Sequence, residues 1–320
     1  MMSKDSWLTY FPITFFSAVM GLSGLTIAWQ RAEQLGVIPF RVSPFILGLT
    51  VLIFVTILSV YIAKIIRYPD AVKAEIHHPV KLNFFPTISI SLILIGTSTL
   101  SIAPGLSKII WGIGTAVQLI LTLYVLNMWI NRQHYKIEHV NPAWFIPVVG
   151  NILVPIAGVP HGFIEVSWFY FSLGLVFWIV LLGIIFNRFI FHPPMPEKLL
   201  PTFFILIAPP SIGFLAYFNL TGHLDAFARI LYNAGLFFTL MLATQIFRFI
   251  KIDFTLSWWA YSFPMAAITV CTLEMNHLLG ESWLLGLSLL LLTILTLILC
   301  VLVVRTLISI ARREICVNDE

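Results

Sequence analysis

The side chains that could do chemistry in this chain are few, and their spacing argues against catalysis. Fourteen acidic residues, eight histidines and three cysteines are spread over 320 positions. His77, His78, His134, His139, His161, His192, His223 and His277 all fall between apolar runs or at their ends. His77, His78 and Glu75 share one polar stretch, but this spacing cannot ligate a metal from one helix face, and the stretch reads as a solvated loop. Cys271 and Cys300 lie inside apolar runs, Cys316 lies near the carboxyl end, and no CxxC pair occurs. The chain has no GxxxxGK[ST], GxSxG or HExxH pattern, so neither an ATP-driven pump nor an intramembrane hydrolase is expected, and no metal or other cofactor. Gly158 and Gly162 form a GxxxG, but Pro160 and His161 between them mark a loop. Asn219-Leu220-Thr221 matches a glycosylation sequon by pattern alone. Glu165 and Glu274, near the ends of apolar runs, and Arg229, one turn inside another, are expected to be rim charges. Glu274 fits that expectation least well, because its run also carries a proline.

The composition explains why so little chemistry is on offer. Hydrophobic residues make up 59% and charged residues 10%, against roughly 45–50% and about 25% in ordinary globular chains. A mean hydropathy of +0.98, with 27 Phe and 10 Trp, leaves too little polar surface to coat a water-soluble particle. The chain therefore reads as an all-α integral membrane protein. That excludes nucleic-acid binding, a soluble nucleotide-binding domain and a secreted disulfide scaffold. Ten apolar runs, at about 8–30, 43–66, 83–103, 107–131, 142–159, 166–191, 199–219, 224–249, 256–277 and 282–311, predict ten transmembrane helices in a single domain spanning 1–320. The first run has no small-residue cleavage site and reads as a retained anchor.

Basic residues orient the runs. With the amino terminus inside, fourteen of the 18 Lys and Arg fall on the cytoplasmic side, from Lys4, Lys64 and Arg67 to Arg312 and Arg313. Only Arg31, Arg41, Lys108 and Arg229 fall outside. The expected protein is multi-pass with both termini cytoplasmic.

Proline falls only in alternate runs. Pro12, Pro86, Pro147 with Pro155, Pro201 with Pro209 and Pro210, and Pro264 occupy the first, third, fifth, seventh and ninth. The even runs have none in their interiors; Pro44 stands in a first turn, where proline is tolerated. A bulky apolar residue precedes the leading proline each time: Phe11, Phe85, Ile146, Leu200 and Phe263. Intervals of 54 to 74 residues correspond to one helical hairpin. Proline frees a carbonyl that lipid cannot satisfy, so kinked helices belong inside a bundle or beside a wet cavity. The pattern predicts five hairpin repeats, with an inner ring of five odd helices, kinked at Pro12, Pro86, Pro147, Pro201 and Pro264, around a central pore. Five straight even helices form the outer ring. On the inner ring, Phe263 is placed beside a kink where a ring could close a narrow bore, and Phe16, Phe85, Phe145 and Phe204 stand at comparable depths as further pore-lining candidates.

The run Trp258-Trp259-Ala260-Tyr261-Ser262-Phe263-Pro264-Met265 resembles the ninth-helix signature of the slow anion channel group, part of the tellurite-resistance/dicarboxylate transporter family with its TehA-like bacterial members. Supporting stretches are His78-Pro79-Val80-Lys81, Pro147-Val148-Val149-Gly150-Asn151 and Ala208-Pro209-Pro210. The resemblance runs from about residue 8 to about 310. It implies ten helices in a fivefold pseudo-repeat, a pore closed by Phe263, small inorganic anions as the permeating species, a homotrimer surrounded by membrane lipid, and, for a bacterial member, the inner membrane. The function it points to is a passive gated channel for nitrate or chloride. The alternatives are a secondary transporter or efflux protein of the same family, for C4-dicarboxylate, sulfite or tellurite, and a non-transporting scaffold. Coupled carriers normally bury Asp, Glu or His near the midplane. The runs here carry none there, which favours the channel.

Overall fold

The computed structural model describes residues 7–132 and 135–317; Lys4 and His134 lie outside the described residues. Among the described residues every regular element is helical. In chain order these are α1 (Phe16–Gln34), α2 (Ser43–Arg67), the short α3 (Pro69–His77), α4 (Thr87–Thr99) and α5 (Pro104–Asn131). Two brief helices follow, α6 (Phe145–Val149) and α7 (Val154–Gly158), then α8 (Ile164–Phe191), α9 (Ala208–Thr221) and α10 (Ala226–Ala243). After the four-residue α11 (Ile246–Phe249) come α12 (Ser262–Leu279) and α13 (Ser282–Ala311).

Eight helical segments among the described residues are long and apolar enough to cross a membrane, which makes this a multi-pass membrane protein. Two of the ten predicted runs do not meet that measure. The fifth, Pro142–Gly158, is a chain of single turns broken around Pro147, Gly150 and Pro155. The ninth, α12, has its hydropathy lowered by Glu274, Asn276 and His277.

Burial divides the segments into two classes. In Ile13–Gln34, Lys81–Thr99 and Glu197–Thr221 between 72% and 83% of the most apolar stretch is buried, whereas in α2, α5, α8, α10 and α13 the share is 28–33%. Exposed side chains such as Phe45, Ile130, Phe191 and Phe247 are apolar, as lipid contact requires. Contacts run in a circuit through the buried class, from α1 to α4, α7, α9, α12 and back to α1. Each buried segment also packs on the exposed helix that follows it: α1 on α2, α4 on α5, α7 on α8, α9 on α10, α12 on α13.

Small residues allow the buried class to close up. A Cβ on Gly21 would stand 2.2 Å from Ser262 Oγ, and one on Gly24 would stand 2.7 Å from Ala266 Cβ, so α1 and α12 nearly touch backbones. Hydroxyls in these helices satisfy themselves by donating to carbonyls one turn back, as Ser91 does to Thr87 (2.7 Å) and Thr269 to Met265 (2.7 Å). The α9 and α12 helices end at Gly222 and Gly280, both at φ near +68°, where a side chain would be strained.

The prolines interrupt the backbone differently from the expected mid-helix kinks. Pro12 precedes the 3₁₀ turn Ile13–Phe15, Pro86 caps α4, Pro201 sits within the 3₁₀ helix Glu197–Ile207, and Pro264 lies in the first turn of α12. Like Pro264 in α12, Pro147 holds the third position in its helix, the five-residue α6. The break is thus a 3₁₀ lead-in ahead of the α-helix, where a missing N–H costs little. Around the fifth run, α5 supplies the missing donors: Gln118 Nε2 (3.1 Å) and Thr122 Oγ1 (2.7 Å) both donate to the Pro147 carbonyl.

Candidate functional site

Two cavities lie inside the circuit of buried segments, one at the end where α1 begins (the near end) and one at the end where it finishes (the far end). The near cavity holds about 70 Å³ and the far one about 400 Å³. Among the described residues, every side chain on either wall comes from the buried class and its lead-ins or flanking turns. Three residues line both: Leu153 from the broken fifth run, Ile212 from α9 and Phe263 from α12. They form the partition between the cavities. Gly24 of α1 faces the partition, and a Cβ there would lie 3.4 Å from Phe263 Cδ2. The clash a Cβ there would make is with Ala266 Cβ at 2.7 Å, so Gly24 serves the close approach of α1 and α12 beside the ring.

The two chambers differ in character. The near wall is apolar, built from Met20, Ile90, Val149, Pro209 and Pro264, with Ser17 its lone hydroxyl. The far wall carries Gln30, Arg31, Thr97, Ser101, Asn219 and Glu274. There Arg31 donates from Nε to Glu274 Oε2 (2.7 Å), with Nη2 in ion-pair contact with the same oxygen (2.5 Å), joining the carboxyl ends of α1 and α12. The Arg31 side chain is 28% exposed and that of Glu274 10%. Glu165 and Arg229 are exposed. Glu274, expected at the rim, faces the cavity and is paired.

The aromatic candidates separate. Phe263 and Phe145 are on the near wall, Phe263 alone reaching both chambers. Phe16, Phe85 and Phe204 are not on either wall. Phe16 packs edge-on against Phe54 and Tyr61 of α2, Phe85 against Tyr61, and Phe204 against Phe249 and Tyr261. Their neighbours Ser17, Phe84 and Ile205 take the wall positions. Aromatic partners on neighbouring elements hold each of these three rings away from the walls. Leu153, Ile212 and Gly24 were not marked in the sequence, and nothing in their types distinguishes them from packing residues.

The stretch read as a solvated loop is in fact α3, and Glu75 is buried in it. Glu75 Oε2 accepts from Tyr61 Oη (2.8 Å) and pairs with Lys64 Nζ (3.2 Å), which also donates to the Phe11 carbonyl (2.8 Å). Sequence alone placed Lys64 among loop charges; α3 folds over it and removes it from solvent. His77 and His78 turn away from Glu75: His77 Nδ1 meets the Lys73 carbonyl, and His78 Nδ1 accepts from Val80 N and Lys81 N. Desolvation, with Lys81 and His139 nearby, holds the His78 ring below the usual histidine range.

Comparison with known proteins points to a family of membrane channels and transporters. A family model described as a voltage-dependent anion channel (SLAC1) matches residues 10–307. The S-type anion channel SLAH3 of Arabidopsis thaliana is 29% identical over 99% of this chain and 51% of its own length. The guard cell S-type anion channel SLAC1 of the same plant is 30% identical over 95% and 57%. A tellurite resistance protein TehA homolog of Haemophilus influenzae is 25% identical over 83% and 81%. The chain thus spans about half the length of the plant relatives it matches. Since the family model covers most of the chain, this protein belongs to the voltage-dependent anion channel (SLAC1) family of membrane channels and transporters.

Proposed function

We propose that the chain is a passive channel for small monovalent anions such as nitrate and chloride, closed at rest by Phe263. The observation that carries the reading is the shared wall. Phe263 bounds both the near and the far chamber, so its ring stands between two spaces that would otherwise join. A constriction of apolar side chains excludes water and so blocks ions without any charged gate. Support for anions as the cargo comes from the relatives' names and from the walls. No carboxylate on either wall lacks a cationic partner among the described residues.

The architecture proposed with it is ten crossings in five hairpins, the buried segments around the path and the exposed helices toward lipid or neighbouring subunits. In that frame the near end is cytoplasmic, both termini with it. We further propose a homotrimer and, for a bacterial cell, the inner membrane. Current from purified wild type and Phe263→Ala in planar bilayers under a chloride gradient tests the function. The expected result is little current from wild type and a large anion-selective current from the variant; a folded variant that stays closed, or a cation-selective reversal potential, overturns it. Cysteines introduced at Lys73 and His223 should label from opposite faces; labelling from one face overturns the ten-crossing topology.

A further inference from the structure

We propose that Arg31 is an anion-binding group in the far vestibule, held masked by Glu274. The proposal rests on the reading of the central path as an anion path. Arg31 is the one cationic side chain on the wall of the 400 Å³ chamber among the described residues, and Glu274 the one anionic side chain. Three of the neutral donors there are engaged with backbone, Gln30 Nε2 with the Ser98 carbonyl (2.7 Å), Thr97 Oγ1 with Ile93 (2.9 Å) and Asn219 Nδ2 with Leu215 (2.7 Å), while Gln34 and Ser101 add neutral donors on the same wall. An anion that enters from the far end therefore meets a single charged donor.

The pair is built so that this donor can be contested. The hydrogen bond from Nε and the ion-pair contact from Nη2 fall on one carboxylate oxygen, Oε2, rather than forming the two-oxygen fork that such pairs adopt at their strongest. Nη1 of Arg31 has no hydrogen bond among the described residues. The guanidinium is over a quarter exposed to the chamber, so it is hydrated and its attraction for a passing anion is screened by water and by Glu274 together. With Glu274 charged, the vestibule has no net charge from this pair and holds anions weakly. With that charge removed, Arg31 becomes an open site for a nitrate-sized monovalent anion.

The alternative is that the pair is only a strut between α1 and α12, and an anion titration separates the two. Purified full-length protein is titrated with nitrate against gluconate at constant ionic strength, and the unfolding temperature is followed, which requires no conduction. Removing the competing charge should lower the half-saturating nitrate concentration of Glu274→Gln about fivefold relative to wild type, the worth of one unit charge at ~4 Å in water. Arg31→Gln and the double Arg31→Gln/Glu274→Gln should lose the saturable shift. An unchanged midpoint in folded Glu274→Gln, or a double variant that behaves like Glu274→Gln, overturns the proposal. If Glu274→Gln does not fold, Glu274→Asp, which withdraws the charge by one methylene, should show a smaller drop in the midpoint; no drop overturns it equally. A protein that shows the nitrate shift yet never conducts, even as Phe263→Ala, would remove the channel reading and leave this site standing. One that conducts without the shift would do the reverse.

Discussion

Two ion pairs at opposite ends of this molecule, Lys64 with Glu75 and Arg31 with Glu274, do opposite things; a third, Arg312 with Glu314, lies exposed at the near end. At the near end Lys64 and Glu75 are almost fully buried, with side chains 1% and 7% exposed, and Tyr61 and the Phe11 carbonyl complete their hydrogen bonds. They tie α2 and α3 to the chain just ahead of α1. At the far end Arg31 and Glu274 stand in an open chamber. A sealed pair has only its partner to answer its charge, so it holds helices in place; a hydrated pair can trade its partner for a ligand. The neighbouring cavities follow the same division, small and apolar at one end, wide and polar at the other, with Phe263 where they meet.

The largest effect should come from removing that partition. Phe263→Ala joins the two chambers without altering any charge, so bilayer conductance should rise by at least an order of magnitude while anion preference is kept. Phe145→Ala, which widens only the near chamber, should do far less. Equal effects from both would mean that the resistance lies along the whole near wall.

Next comes the near ion pair. Lys64→Met leaves Glu75 buried without its counter-charge, which typically costs about 3–5 kcal/mol. Lys64→Met/Glu75→Gln should recover much of that loss, because neither charge remains to be desolvated. Arg31→Gln leaves Glu274, 10% exposed, without its counter-charge but beside a wet chamber, and should cost less, about 1–3 kcal/mol. Thermal unfolding of the four proteins in one detergent checks the order; similar losses at both ends would abolish the contrast.

Much of this was legible from the chain, for physical reasons that can be named. Odd-only proline marked the segments that the structure buries, since lipid leaves no way to satisfy a freed carbonyl. Phe263 was marked by the adjacent Pro264 together with the ninth-helix run around it; a neighbouring proline alone is not enough, since Phe85 beside Pro86 is on neither wall. Phe16, Phe85 and Phe204 were misplaced because depth along an axis does not fix which way a ring faces, and Phe54, Tyr61, Phe249 and Tyr261 take these rings. Glu75 was hidden for a different reason. Its partners Tyr61 and Lys64 are 14 and 11 positions away on another helix, and only the fold of α3 over α2 brings them together. Gly24 carried no signal, because a glycine that lets two helices approach looks like any other.

A smaller effect tests whether the openness of the far end is confined to the axis. Gly96 lies toward that end of α4, and a Cβ there would stand 2.8 Å from the Trp111 backbone nitrogen of α5. Backbone cannot move aside cheaply, so Gly96→Ala should destabilise by about 1–3 kcal/mol. Gly112→Ala, on the same helix pair but with open space around it, should be neutral or stabilising by up to about 1 kcal/mol. Equal outcomes would show that α4 and α5 are loosely packed there.

The smallest expected effect compares one histidine at each end. Desolvation, with Lys81 and His139 nearby, lowers His78, and desolvation with Lys108 nearby lowers His161. A folded value below the unfolded one, near 6.5, means that the unfolded chain binds more protons between the two, so stability rises with pH across that window. Acidification through about pH 6.5 should therefore cost stability at both sites, but unequally. Nδ1 of His78 accepts from the Val80 and Lys81 amides (3.1 and 3.2 Å), and a protonated ring can accept neither. His161 Nε2 lies 2.9 Å from Ser107 Oγ, whose proton is committed to the Gly96 carbonyl (2.7 Å), so the ring already donates there and keeps that bond when it gains a second proton. Unfolding temperatures at about pH 7.5 and about pH 5.5 should show that His78→Gln removes more of the acid loss than His161→Gln. The reverse order would mean that the far-end loop around Ser107, rather than the near-end turn after α3, is where protons are felt.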